Sequence, residues 1–217
     1  MKKIIFIISL TIYLLPNATA KSLWSIEFHG GTAYNIPMPL TISQGNYSNI
    51  NFTARYRTDA FEPPVYWNWR LSRWEKGKSW ELELIHHKLY LDNISAEVQK
   101  FNISHGFNML FVNRGFAKRT FRYRAGAGIV LSHPESKIRG KEFGNTGDDL
   151  DLGYFVSGPA LNLAVGKPIR IGGRFYLDVE AKTTLAYSYI KVAQGHAEVY
   201  NLAFHLIFGL GVDFIKP

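Results

Sequence analysis

Residues 199–214 read Val-Tyr-Asn-Leu-Ala-Phe-His-Leu-Ile-Phe-Gly-Leu-Gly-Val-Asp-Phe. Every even position, from Tyr200 and Leu202 to Val212 and Phe214, is apolar and, valine apart, large. The odd positions include Asn201, Ala203, His205, Gly209, Gly211 and Asp213. A strand turns successive side chains to opposite faces, so this stretch has one wholly apolar face and one that is small or polar. Soluble strands usually run about five or six residues and rarely sustain such a pattern. A long strand with large residues on one side and glycines on the other suits a barrel whose outside meets lipid and whose inside is polar.

The other end of the chain agrees. Lys2 and Lys3 precede an apolar run from Ile4 to Leu15, followed by Ala18-Thr19-Ala20. A charged start, a short apolar core and a small-residue cleavage site describe a signal peptide over 1–20, with 21–217 as the exported domain. The run is too short for a membrane-spanning helix, which needs about 20 apolar residues, and no later stretch is long enough. The 217 residues include no cysteine, so disulfides do not hold this exported fold. Aromatic content of 15% and 19 glycines suit aromatic girdles and a tight interior. The formal charge of +8 is spread along strands instead of gathered on one helix face. An anionic lipopolysaccharide surface fits such a charge better than nucleic acid does.

Taken in order, strands are expected over Lys21–Tyr34, Val65–Glu75, Ser79–Leu91, Val98–Val112, Arg119–Leu131, Tyr154–Gly166, Phe175–Val192 and Val199–Phe214. Short turns lie at Lys76–Lys78, Asn113–Ala117 and Lys167–Gly173, and long polar segments at Asn35–Pro64 and His133–Leu152. Short periplasmic turns and long outer loops follow if both termini lie in the periplasm. Trp24, Trp74 and Trp80 then gather near the periplasmic ends as a girdle. The expected fold is all-β, an eight-stranded up-and-down antiparallel transmembrane barrel. Ten strands is the alternative, since Ile50–Tyr56 alternates weakly and could span.

In its whole-chain pattern the sequence resembles small bacterial outer-membrane barrels of the OmpA and OmpX type and the lipid A-modifying barrels. Ile215-Lys216-Pro217 follows Phe214, where such chains commonly end on the aromatic. The resemblance implies a monomer whose partners are membrane lipid, lipopolysaccharide and the outer-membrane assembly machinery, with no cofactor.

Strict alternation assigns Glu27, His29, Arg70, Glu81, Glu83, Lys100, Arg122, Arg124, Asp178, Glu180, Lys182 and His205 to the lumen. An eight-stranded barrel is only wide enough for its side chains to fill it, so these groups are expected to pair with one another. The same alternation sends Phe101, Ile103, Phe107, Met109 and Phe111 outward. His86, Lys88 and His105 also point to the lipid side, at the level of the outer leaflet, where Lys88 could meet a lipid head group. Two readings stand: an envelope or surface-interaction barrel with a plugged lumen, or a lipid A-modifying enzyme with His86 and His105 at its site. Hydrolysis needs a nucleophile near the histidine, and Ser104, the nearest in sequence, turns inward by alternation. No metal site is expected, because His87 faces away from His86. Asp148-Asp149-Leu150-Asp151 could bind calcium or remain a solvated acidic loop.

Overall fold

The computed structural model describes residues 22–144 and 154–215; the signal segment over 1–20, the acidic loop at Asp148–Asp151 and Lys216-Pro217 lie outside the described residues. Among these, all regular structure is strand: β1 Leu23–Ile36, β2 Met38–Gln44, β3 Ile50–Ala54, β4 Tyr56–Arg57, β5 Trp67–Glu75, β6 Lys78–Leu91, β7 Val98–Lys118, β8 Phe121–Ser132, β9 Glu135–Ile138, β10 Lys141–Phe143, β11 Phe155–Gly172, β12 Phe175–Val192 and β13 Gly195–Ile215.

Eight of these close a ring in the order β1, β5, β6, β7, β8, β11, β12, β13, each antiparallel to its neighbours. The ring shuts where β13 pairs with β1, from Leu23 opposite Ile215 to Ile36 opposite Leu202. Closure removes the exposed sheet edge, which is what a bilayer demands. The remaining short strands extend the wall at one end: the β2–β3 hairpin on β13, β4 on β6, and the β9–β10 hairpin on β7. The segment Ile50–Tyr56 therefore builds the rim without spanning, and the ring holds eight strands. At the opposite end the connections are tight. Lys76 and Gly77 both take positive φ, 50° and 74°, the mirror-image turn that matches the twist of a hairpin. Short turns thus gather at one end of the ring and long excursions at the other.

The outer face follows the expected alternation on most strands. Ile26 and Phe28 on β1, Leu177 and Val179 on β12, and Phe204, Leu206, Phe208 and Leu210 on β13 are exposed, whereas Glu27, Asp178, Glu180 and His205 between them are buried. Gly211 lets the ring of Tyr176 lie against the wall, because a Cβ there would collide with it.

Strand β7 departs from the expectation. Phe101, Ile103, Phe107, Met109 and Phe111 point inward and are all but completely buried, and Val112 and Phe116 face out. A shift of one residue inverts a whole strand, and here the loop-end half of the lumen is apolar, so the polar residues were displaced to the outside. The β7 turn is correspondingly later than Asn113–Ala117: β7 runs to Lys118 and Arg119-Thr120 makes the bend. Likewise β11 continues to Gly172, leaving Gly173-Arg174 as the turn, and His133–Leu152 contains β9 and β10. Trp74 does not join the outer girdle; it is 7% exposed and lies over Arg122 at 4.9 Å inside the barrel.

The loop-end half holds an apolar core. Leu40, Ile42, Leu89, Val98, Phe101, Ile138, Ile190, Val192 and Val199 are buried together. Interior alternation along the upper strands therefore supplies a second hydrophobic layer, this one facing the axis.

Candidate functional site

The turn-end half of the lumen is ionic. Glu27 from β1, Arg70 from β5, Glu81 and Glu83 from β6, Arg122 and Arg124 from β8, and Asp178, Glu180 and Lys182 from β12 are all buried. Each reaches the axis because it occupies an inward position of its strand, its two chain neighbours facing out. Arg70 is the hub. It ion-pairs with Glu27, and its Nη2 donates to Glu83 at 2.9 Å and to Glu180 at 2.6 Å. Arg122 donates to Glu27 at 2.8 Å, and Arg124 donates to Glu81 at 2.9 Å and pairs with Glu180. Lys182 pairs with Glu83. Neutral groups add to the carboxylates' partners: Tyr176 donates to Glu27 at 2.7 Å, and Asn113 and Asn162 donate to Glu83 at 2.6 and 3.0 Å. His29 shares hydrogen bonds with Asn68 at 3.0 Å and Asp178 at 3.3 Å. Buried charge is costly unless paired and hydrogen-bonded, and here the pairing runs between strands on opposite sides of the ring.

Above this layer lies a neutral polar one. His205 shares hydrogen bonds with Tyr66 at 2.9 Å and Thr184 at 2.8 Å, and its ring sits 5.3 Å from that of His87. His87 in turn meets Asn35 at 3.0 Å, and Asn35 donates to Thr58 at 2.9 Å. Composition alone did not point to Tyr66, Tyr176, Asn68, Asn113 or Asn162; their inward parity was the available signal.

Lys100 is not part of this interior. Its side chain is 44% exposed and its ammonium pairs with Glu135 on β9 at 2.6 Å. The cause is the same β7 inversion.

On the outer face, His86 stacks on Trp67 with ring centroids 5.4 Å apart, and its Nδ1 shares a 2.7 Å hydrogen bond with Asn108. Trp67 and Asn108 are its cross-strand neighbours, and His86 is only 5% exposed. Ser104, expected inside, lies on the same side as Tyr90, which hydrogen-bonds it. His105 sits in an irregularity of β7: Ile103 pairs with Leu89 and Phe107 with His87, so three residues of β7 oppose Lys88 alone. Pairing thus does not set His105 across from His86. Lys88 does not present its charge to the lipid. It is fully buried, and its ammonium donates to the backbone carbonyls of Asp59 at 2.7 Å and Glu62 at 2.8 Å. It clamps the segment that follows β4.

Glu27, His29 and Asp178 bring one ligand atom each within 4.8 Å of one another. Glu27 is already bonded to Arg70, Arg122 and Tyr176, so a cation placed there would face guanidinium groups and find that carboxylate engaged. The donor set does not fit a metal.

No family model matches the chain, and no curated protein matches it in sequence. Solved structures do resemble it. The outer membrane protein AlkL in lipid bilayers superposes with a TM-score of 0.51 at 10% identity, covering 94% of this chain and 96% of that one. OprG from Pseudomonas aeruginosa gives 0.49 at 11% identity over 91% and 98%, and Ail of Yersinia pestis gives 0.41 at 10% identity over 91% and 100%. The closed ring of eight antiparallel strands and its superposition on AlkL give the chain the fold of the small bacterial outer-membrane β-barrels.

Proposed function

We propose that this chain is a non-enzymatic barrel of the bacterial outer membrane, exported on its N-terminal segment, which acts through its loop-end surface and not through its lumen. The observation that carries this reading is the stacking of two fillings along the axis. Arg70 and its carboxylates close the turn-end half, and Phe101, Ile138, Ile190 and Val199 close the loop-end half with apolar side chains. A solute path would have to break the ion cluster and wet the apolar layer. The rim built by β2, β3, β9 and β10 then becomes the part that meets other molecules. There Tyr47 is 54% exposed, with Arg139 at 4.7 Å and Lys141 at 5.2 Å from its ring centre, a surface suited to anionic sugar or lipopolysaccharide phosphate. Insertion through the assembly machinery as a monomer completes the reading.

Planar-bilayer recording of the purified barrel tests the closed lumen. The expected result is no conductance steps above the lipid baseline; reproducible open-channel steps would overturn it. Mass spectrometry of lipid A from cells with and without the protein tests the non-enzymatic part. Identical spectra are expected, and a loss or gain of an acyl chain would assign it catalysis.

A further inference from the structure

The outer face at the turn end of β5, β6 and β7 carries an ordered arrangement that the proposed role leaves unused. Register places Trp24 beside Arg73, Arg73 beside Trp80, and Trp80 beside Arg114. One row of the wall thus alternates ring and guanidinium. Arg114 holds its guanidinium 4.9 Å over the Trp80 ring and donates to the Ser79 carbonyl at 3.1 Å, which fixes its position. Toward mid-membrane, the next outward row is Leu71, Leu82 and Val112, the last two 41% and 54% exposed. Toward the turn, the row is Glu75, Lys78 and Phe116. Arg73, Glu75, Lys76, Lys78, Trp80 and Arg114 line an open cleft of about 390 Å³. Its charges are four cations against one carboxylate, and among the described residues Arg73, Lys76 and Lys78 form no ion pair.

We infer that this cleft binds the phosphate head group of an anionic glycerophospholipid in the leaflet at the turn end. Cations on a membrane-facing surface attract anionic head groups, and arginine meets phosphate through paired N–H donors. The apolar row directly above the cations selects an amphiphile: a ligand seated on Arg73 and Arg114 must also cover Leu82 and Val112. A soluble anion would leave that row bare. The indole of Trp80 sits at the boundary between the two, where an amphipathic ring is best placed. The inference rests on the membrane placement proposed above. Heat-modifiable migration on gels tests that placement separately.

The experiment is native mass spectrometry of the full barrel released from detergent in the presence of phosphatidylglycerol or phosphatidylcholine. The wild-type barrel is expected to retain phosphatidylglycerol at least about tenfold better, since each surface cation contributes about fivefold in affinity. Arg73→Gln with Arg114→Gln should abolish that preference while migration stays heat-modifiable. Lys76→Gln with Lys78→Gln, confined to the turn, supplies a second pair should the first disturb folding. Quenching by brominated phosphatidylglycerol should fall in Trp80→Phe. Equal retention of both lipids, or an unchanged preference in both double variants, would refute the site. Displacement of the lipid by millimolar inorganic phosphate or by a soluble acidic peptide would reassign the cleft to a water-borne anion.

Discussion

Replacing Arg70 with Met removes the hub of the ionic layer while keeping most of its volume. Arg70 contacts Glu27, Glu83 and Glu180, and all four side chains are completely shielded from solvent. Each carboxylate keeps another partner: Arg122 for Glu27, Lys182 for Glu83, Arg124 for Glu180. None is left bare, yet the layer passes from four arginine and lysine cations to three against five carboxylates. Breaking a buried pair from one side costs about 3–5 kcal/mol, and the retained partners place this change near the lower end, at about 3 kcal/mol. Small domains have only about 5–15 kcal/mol in total. With a urea dependence of about 1–3 kcal/mol per molar, the midpoint in zwitterionic micelles should fall by on the order of 1–3 M. Adding Glu83→Gln should recover part of the loss, because it removes the uncompensated charge. Arg174→Met, at an exposed turn position, serves as the neutral control. An Arg70→Met midpoint indistinguishable from that of Arg174→Met would mean the lumen is hydrated, and the reasoning from buried charge would fail.

Three further outcomes are expected. Lys88→Met frees the carbonyls of Asp59 and Glu62; a lost charged hydrogen bond costs about 2 kcal/mol, so the amides of Glu62 and Tyr66, which bond within this segment, should exchange roughly 30-fold faster, and unchanged exchange would refute the clamp. Phe101→Ala, at a site 1% exposed, should destabilise the loop-end core by about 3–5 kcal/mol, read from thermal unfolding. Gly211→Ala drives a methyl into the Tyr176 ring and should leave little folded barrel on gels, with Tyr176→Ser in the same chain restoring it.

The parts of the fold legible in the sequence are those where lipid dictates one face. On β13, β12 and β1 most outward residues are large and apolar, and the inward ones include Glu27, His29, Asp178, Glu180, Lys182, His205 and several glycines, so the pattern favours one solution. On β7 it has two. Leu110 and Val112 are as apolar as Met109 and Phe111, and Asn102 and Asn108 imitate lumenal residues. What decides the register is that the interior at this height is lined by apolar side chains from several strands, which no single strand announces. The short rim strands were hidden for a related reason: Glu135–Ile138 carries charge and is held by pairing to Val98–Asn102, not by its own periodicity. The ionic residues of the lumen were named by parity alone, whereas their pairing had to wait for the ring. Alternation placed Lys88 toward the lipid, whereas the structure buries it beneath chain 26 to 29 residues earlier, too far off in sequence to be read from the strand itself.

Glu27 enters with the first strand of the ring and faces Arg70 on the next ring strand, β5, whereas its other partners, Arg122 on β8 and Tyr176 on β12, lie much later in the chain. A sheet that has inserted only its early strands carries that carboxylate toward the bilayer with its compensation unfinished. The full network of ion pairs, with Arg122, Arg124 and Lys182 across from Glu27, Glu81 and Glu83, is present only in the ring that includes β8 and β12. An open sheet that lacks β8 and β12 would leave part of this charge without its partners, at a cost that the complete ring removes.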